Sequence, residues 1–242
     1  MAGGFAVNDN NLQIKRLYDA VSFRAETDRY VILLDERTAQ TPKQNPLSSP
    51  SEKLARAVAE EWDSQQSTIN RSSMPLTGIL SAAIDGGETA LSECRQDIIN
   101  YLGSDLLCYR ADAPRALVSR QAERWDPFIH WFNEAFDQTL IVTTGIVAVQ
   151  QSDATLRAVN NALIHKTPET LHALRIATAL SGSAVLALAL WKSAFDKNEI
   201  FNASRVDEQF QAERWGADEE ASLREDRLRQ EFLSIAQFIT LL

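Results

Sequence analysis

Apolar and polar residues alternate between positions 15 and 40, and this alternation predicts a β-meander near the start of the chain. The alternating apolar positions are Val21, Phe23 and Ala25 in a first segment and Tyr30, Ile32 and Leu34 in a second. Polar turns at residues 26–28 and 35–36 separate the segments, and a short third strand reaches Thr38. Because side chains alternate with a period of two residues, one face of each strand packs toward a core and the other face contacts water.

The first helix is expected after a proline-rich loop. Ser49-Pro50-Ser51-Glu52 has the order of a capping box, with a hydroxyl at the N-cap, proline at N1 and glutamate at N3. The helix that it opens places Leu54, Val58 and Trp62 on one face.

Later helix starts are indicated where a capping residue precedes a proline. Asp126-Pro127 and Thr167-Pro168 are two such pairs. Residues 75–84 form one helical piece, which Gly86-Gly87 breaks before a second piece over residues 88–102.

The last helix is expected from Asp218, and the β-branched residues 140–144 favour a short extended segment. Together these elements predict an α+β protein. A small N-terminal β-meander/helix domain would cover residues 1–85, and a larger all-α domain would cover residues 86–242.

Composition narrows the classes of partner and compartment. The chain has 242 residues, 45% of them hydrophobic, and a net charge of −9, which opposes binding to nucleic acid. Cys94 and Cys108 are isolated and are expected to be buried free thiols in a reducing compartment. Residues 1–10 do not resemble a targeting signal, and the apolar stretch 173–191 is interrupted by polar residues. We therefore expect a cytoplasmic protein without a membrane span.

The motifs of common catalytic and cofactor sites are missing from the sequence. Phosphate-binding glycine loops, a GxSxG serine and zinc-binding spacings do not occur. The histidines, His130, His165 and His172, do not form a ligand pair. We expect no cofactor, no metal site and no catalytic residue.

The acidic segment 207–220 is the strongest candidate for function, because it combines clustered carboxylates with a tryptophan and a helix-ending glycine. A helix over residues 198–215 would place Glu208 and Trp215 on one strip, with Gln211 a turn from Asp207. Glu213 would lie well round the helix, in a different contact or in an internal pair.

Three readings of these carboxylates stay open at this point. The carboxylates could pair internally, with Arg205, Arg214 and Arg224 as candidate partners; they could contact a partner protein; or Asp207 or Glu208 could act as a catalytic acid with a raised pKa.

The tryptophans divide into core residues and one at a helix end. Trp62, Trp125 and Trp191 lie on apolar helix faces and are expected to be structural. Trp215 precedes Gly216, which is placed to be a left-handed C′ cap, so Trp215 could cover the core or anchor a partner.

Short motifs in a characteristic order make the chain resemble the Atp12 family, the assembly chaperones of the ATP synthase catalytic (F-one) sector. The motifs are Lys15-Arg16-Leu17-Tyr18; Leu34-Asp35-Glu36-Arg37; Thr41-Pro42; Asn45-Pro46-Leu47; Glu61-Trp62-Asp63 with Gln65; Met74-Pro75-Leu76-Thr77; Ala83-Ile84-Asp85; Asp105-Leu106-Leu107-Cys108-Tyr109-Arg110; Trp125-Asp126-Pro127; Gly145-Ile146 with Gln150-Gln151; Asp207-Glu208; Gln211; and Trp215-Gly216. The resemblance runs from residue 15 to about residue 242. Leu17 and Glu36 depart from the family's usual phenylalanine and glycine.

This resemblance implies a non-enzymatic chaperone that holds the unassembled α subunit and masks its interface until the β subunit replaces it. It also implies an α+β N-terminal domain and a helical C-terminal domain. A bacterial member would work in the cytoplasm and a eukaryotic one in the mitochondrial matrix, as a monomer when free. We expect Asp207, Glu208, Gln211, Glu213 and Trp215 to bind the partner. The first alternative is an acid/base hydrolase that uses Asp207 or Glu208 in an interdomain cleft, and the second is an acidic scaffold subunit unrelated to ATP synthase.

Overall fold

The computed structural model describes residues 14–145, 147–216 and 219–242. Three features of the sequence analysis lie outside these residues: the segment 1–10, Ile146 of the family motif, and the helix start at Asp218.

The N-terminal sheet confirms the predicted meander. Strands β1 (Val21–Glu26) and β2 (Arg29–Leu34) pair antiparallel, with Val21 opposite Leu34. Strands β3 (Arg37–Thr38) and β4 (Ser48–Ser49) both pair with β2. Asp35 and Glu36 connect β2 to β3 with φ of 47° and 66°, so the turn holds a side chain in the region that favours glycine.

Helix α1 (Glu52–Asp63) buries the predicted face, including Leu54 and Val58. The capping-box prediction is wrong, because Ser49 belongs to β4 and the helix begins after Ser51. The Ser51 hydroxyl does not cap the helix; it donates a hydrogen bond of 2.6 Å to the carbonyl of Leu241.

Helix α2 (Pro75–Gly103) joins the two predicted pieces across a kink. Gly87 supplies the kink, with φ of 66° and ψ of −168°, a conformation that is open to glycine and strained for other residues. Short 3₁₀ turns precede and follow α2, at Arg71–Ser73 and Leu106–Cys108.

Helix α3 (Arg115–Phe136) begins well before the predicted start at Asp126-Pro127. The helix continues through Pro127, and the Asp126 carboxylate lies 2.9 Å from the Arg110 guanidinium instead of capping a helix. The extended segment after α3 contains β6 (Thr143–Thr144), which pairs in parallel with β5 (Tyr109–Arg110).

Three helices form the centre of the C-terminal part: α4 (Asp153–Leu163), α5 (Pro168–Ser181) and α6 (Ala184–Trp191). The start of α5 confirms the Thr167-Pro168 prediction, because the Thr167 hydroxyl accepts from the N–H of Thr170. Helix α6 is buried from Ala184 to Leu190, which explains its nearly continuous apolar sequence.

The predicted helix over residues 198–215 is two helices, α7 (Lys197–Ser204) and α8 (Val206–Trp215). Side chains explain the break. The Ser204 hydroxyl donates to the carbonyl of Phe201, and the Trp125 indole N–H occupies the carbonyl of Ala203, which in a continuous helix would accept from Asp207.

The final helix, α9 (Glu219–Leu241), packs against α5, α2 and α1. One cluster of buried side chains extends from Ile32 and Leu54 to Phe232 and Phe238. The α+β class with a small N-terminal strand region is confirmed. The boundary at residue 85 stays a prediction; it falls inside α2, two residues before the kink at Gly87.

Candidate functional site

Helix α8 presents one face to the protein and the opposite face to solvent. Val206 and Phe210 are buried, one turn apart. Glu208, Gln211 and Trp215 lie on the exposed side, and we call these three residues the α8 outer face. The predicted common strip of Glu208 and Trp215 survives the break at Arg205, because both residues belong to α8.

Asp207 faces the protein rather than the outer face. Its carboxylate accepts a hydrogen bond of 2.7 Å from the side-chain amide of Gln121, which is 2% exposed. The side-chain carbonyl oxygen of Gln121 accepts in turn from the backbone N–H of Ala111. Asp207 therefore fixes α8 to α3, and its partner is an amide instead of the expected arginine.

Glu208 is exposed and already pairs with the residue that immediately precedes its helix. Its carboxylate lies 3.0 Å from the guanidinium of Arg205, one of the three candidate arginines. The glutamate side chain is 51% exposed and the arginine 20%, so Glu208 stays accessible to a second cation.

Glu213 lies on the side of α8 that faces α3 and makes an internal pair. Both of its oxygens accept from Arg120, at 2.8 and 2.7 Å. These hydrogen bonds hold the pKa of the Glu213 carboxyl below its usual value and raise the pKa of the guanidinium. Arg120 also lies 5.3 Å from the centre of the Phe210 ring, which adds a cation–π contact.

Trp215 is 76% exposed, so it does not cover the core. The guanidinium of Arg214 lies 5.8 Å from the centres of both the Trp215 and the Phe210 rings. Gly216 ends the helix, but the prediction of a left-handed cap there is wrong, because its φ is 84° and its ψ is 145°. That conformation still favours glycine.

Two of the three tryptophans expected to be structural, Trp62 and Trp125, differ in burial. Trp125 is fully buried, and its indole N–H donates 2.7 Å to the carbonyl of Ala203. Trp62 is only partly buried; it packs edge-on against Tyr18 at 5.8 Å, and its indole N–H is shielded but has no hydrogen-bond partner among the described residues.

Neither carboxylate considered as a catalytic acid lines the cavity beside α8. The cavity between α3 and α8 is lined by Arg120, Glu123, Gln209 and Glu213, and not by Asp207 or Glu208. Within residues 14–145, 147–216 and 219–242, histidine, cysteine and carboxylate side chains form no cluster that could hold a metal ion. Over the same ranges, no helix has the length and apolar character of a membrane span.

Sequence reasoning missed the two α3 residues that hold α8, Arg120 and Gln121. The spacing of Leu117, Gln121, Trp125 and Phe128 by four, four and three residues signalled that α3 begins earlier. The Arg120–Glu213 pair had no local signal, because its members are 93 residues apart in sequence.

Known proteins resemble this chain in sequence and in fold. The sequence model of the ATP12 chaperone protein family matches residues 15–133. Protein atp12, mitochondrial, of Schizosaccharomyces pombe is 24% identical over 219 residues, which cover 86% of this chain and 75% of that protein. Atp12 from Paracoccus denitrificans, a crystal structure, is 37% identical, with a TM-score of 0.90 and coverage of 94% of this chain and 98% of that one. A solved structure from Agrobacterium tumefaciens is 35% identical, with a TM-score of 0.87 and coverage of 94% and 85%.

Proposed function

The chain belongs to the Atp12 chaperone family, and on that premise we propose that it assembles the catalytic sector of ATP synthase by binding the unassembled α subunit. In this role it masks the α-subunit interface until the β subunit replaces it. The resemblance read from short motifs is confirmed by the family match and by 37% identity to the Paracoccus protein. The chain is a chaperone and not an enzyme, so the hydrolase alternative is set aside.

The α8 outer face carries the contact in this proposal, and the exposure of Trp215 is the observation that supports it. Exposing 76% of the apolar Trp215 side chain to water is unfavourable in the unbound protein. Tryptophan buries about 150–250 Å² on contact, which stabilises a complex by on the order of 3 kcal/mol. Tryptophan is also enriched among the residues that carry most of the binding free energy at protein interfaces.

The carboxylate of Glu208 adds selectivity and association rate more than affinity. Because Arg205 already pairs with it, a cation of the α subunit exchanges one ion pair for another and gains little net free energy. Charges of this kind increase the rate of encounter and disfavour wrong partners. A holder that must later release its client benefits from that division of roles.

In this proposal Asp207 and Glu213 fix the orientation of the α8 outer face without belonging to it. Both are bonded to α3, through Gln121 and Arg120, so their substitution would change the orientation of α8. Gln211 lies on the exposed side between Glu208 and Trp215 and completes the contact. We place the protein in the bacterial cytoplasm, or in the mitochondrial matrix of a eukaryote, as a monomer when it is free of client.

Capture of purified α subunit by a Glu208→Lys variant tests the proposal. Glu52→Lys is a matched control, because Glu52 is also 51% exposed, lies in the first turn of its helix and pairs with an arginine of that helix. We expect Glu208→Lys to weaken binding by about tenfold or more and Glu52→Lys to bind as the wild type does.

The melting curves of both variants should match that of the wild type, since each loses one exposed ion pair. Equal binding by wild type and Glu208→Lys would remove Glu208 from the contact. Failure of the wild type to bind free α subunit, or equal binding to free and assembled α subunit, would overturn the proposal itself.

A further inference from the structure

A cavity of about 390 Å³ lies far in sequence from α8, between the start of α2 and the segment that precedes it. Its walls are mainly apolar: Ile14, Trp62, Ile69 and Met74 line it together with the methyl group of Ala82. An apolar cavity of about 150 Å³ already accommodates a benzene ring. The space is therefore ample for one leucine or phenylalanine side chain.

The floor of the cavity consists of small residues on successive turns of α2. Gly78, Ser81 and Ala82 line it, and both Gly78 and Ala82 are exposed. A Cβ atom added at Gly78 would meet no atom within 4 Å. Larger side chains at these positions would fill the space, so the small ones keep it open.

Two carboxylates make the walls rigid. Glu61 accepts from the backbone N–H groups of Leu76 and Thr77, at 2.8 and 2.7 Å, and so caps the start of α2. Asp85 accepts from the N–H of Lys43 and from the side chain of Asn45, which ties the loop before β4 to α2. A preformed site of this kind loses little conformational entropy on binding.

One side chain at the cavity points to the chemistry of a ligand. Arg71 lines the cavity, is exposed, and makes no ion pair or side-chain hydrogen bond within the part of the chain that the structure describes. In a chain of net charge −9, such an arginine complements a carboxylate.

We infer that this cavity binds an extended client segment in which a large apolar residue stands next to an aspartate or glutamate. The apolar side chain enters the cavity and contacts Trp62, and the carboxylate pairs with Arg71. The inference rests on the proposed function, since it takes the client to be the α subunit, and it gives that client a second contact separate from the α8 outer face.

A Gly78→Leu variant tests the inference with α subunit as the probe. The leucine fills the cavity, and the loss of a helical glycine should raise the melting temperature. We expect at least about tenfold weaker capture of α subunit together with unchanged or higher stability. Gly103→Leu is the control, because a Cβ there also meets no atom within 4 Å and that residue does not line the cavity.

A short peptide tests the same cavity without the α subunit. The probe is acetyl-Gly-Leu-Asp-Gly-amide, and the signal is the NMR shift of the Trp62 indole N–H, assigned with Trp62→Phe. The shift should saturate, should be absent in Gly78→Leu, and should need about fivefold more of the peptide with lysine in place of aspartate.

The outcomes separate the two proposals. Normal capture of α subunit by Gly78→Leu, with no peptide-induced shift in the wild type, overturns the cavity site and leaves the proposed function intact. A saturable peptide shift in a protein that captures no α subunit supports the cavity site and overturns the proposed function.

Discussion

The cavity beside α2 and the α8 outer face are opposite kinds of surface. The cavity is concave and apolar, and Glu61 and Asp85 fix its walls through hydrogen bonds to backbone and side chains. The outer face lies on the exposed side of a helix and carries one carboxylate, with an exposed tryptophan at the end of the helix.

In the functions proposed above, the two surfaces give one chaperone both selectivity and release. The preformed apolar cavity would supply affinity for one side chain, whereas the exposed carboxylate of the outer face would speed encounter and make it sensitive to salt. Each contact alone is modest. Loss of either one is therefore expected to free the client, which suits a holder that hands its client to another subunit.

Removing the support of α8 should have the largest effect. Trp125→Ala empties a fully buried site and leaves the carbonyl of Ala203 without its donor, so we expect a loss of about 3–5 kcal/mol in the free energy of unfolding. Urea denaturation measures it. Trp125→Phe keeps most of the volume and should cost less, while α-subunit binding still falls because α8 loses its orientation. Full binding by Trp125→Phe would show that the indole hydrogen bond does not set the outer face.

The second prediction concerns Asp105, which connects the end of α2 to the start of α6. Its buried carboxylate accepts from Ser183, Val185 and Leu107, yet burial raises the pKa of Asp105 to about 6. The folded protein then holds this proton more tightly than the unfolded chain does, whose pKa stays near 3.8. Stability from this group is therefore complete below pH 4 and is lost as the pH rises to about 6.

The difference in free energy of unfolding between wild type and Asp105→Asn reports that group alone. Between pH 4 and pH 7, the wild type should lose on the order of 3 kcal/mol of unfolding free energy relative to Asp105→Asn. Denaturant titrations at several pH values measure this loss. A difference that does not change with pH would mean that Asp105 has an ordinary pKa in the folded protein.

Much of the fold could be predicted, because its signals are local. Alternation gave β1 and β2, and Thr167-Pro168 gave the start of α5. The helix start predicted at Asp126-Pro127 is wrong, because an Asp-Pro pair inside a long helix cannot be told by sequence from one at a helix start. The break at Arg205 had no glycine or proline to mark it, because Trp125 and Ser204 produce it through hydrogen bonds.

The candidate site was less predictable than the fold. The strip of Glu208 and Trp215 follows from helical periodicity alone, whereas the pairing of Glu213 with Arg120 depends on how two distant helices cross. The cavity depends on backbone segments on either side of α1 and on small residues that carry no motif.

The third prediction separates binding from stability at the outer face. Trp215→Ala should change the free energy of unfolding by less than about 0.5 kcal/mol, since the side chain is 76% exposed. The same variant should lose about 2 kcal/mol or more of α-subunit binding free energy in calorimetry. A stable variant with normal affinity would remove Trp215 from the contact.

The smallest effect is expected at Arg120. Arg120→Gln removes the hydrogen bonds that lower the pKa of Glu213, so that pKa should rise toward the ordinary glutamate value in an NMR titration. Stability should hardly change, because the pair is exposed. The charge-swapped double variant, Arg120→Glu with Glu213→Arg, is the control for a loss of α-subunit binding. If the swap restores binding, the pair acts by positioning α8. If it does not, Glu213 itself contacts the client.

The hydrogen bond from Ser51 to the carbonyl of Leu241 has a consequence for synthesis. The segment that leads into α1 is held by a residue 190 positions further along the chain, and α9 packs on α1, α2 and α5. Domains usually fold as their residues leave the ribosome, N-terminal part first. Here α1 and α2 obtain α9 as a neighbour only after residue 241 has been synthesised, so these N-terminal elements cannot complete their packing early in translation.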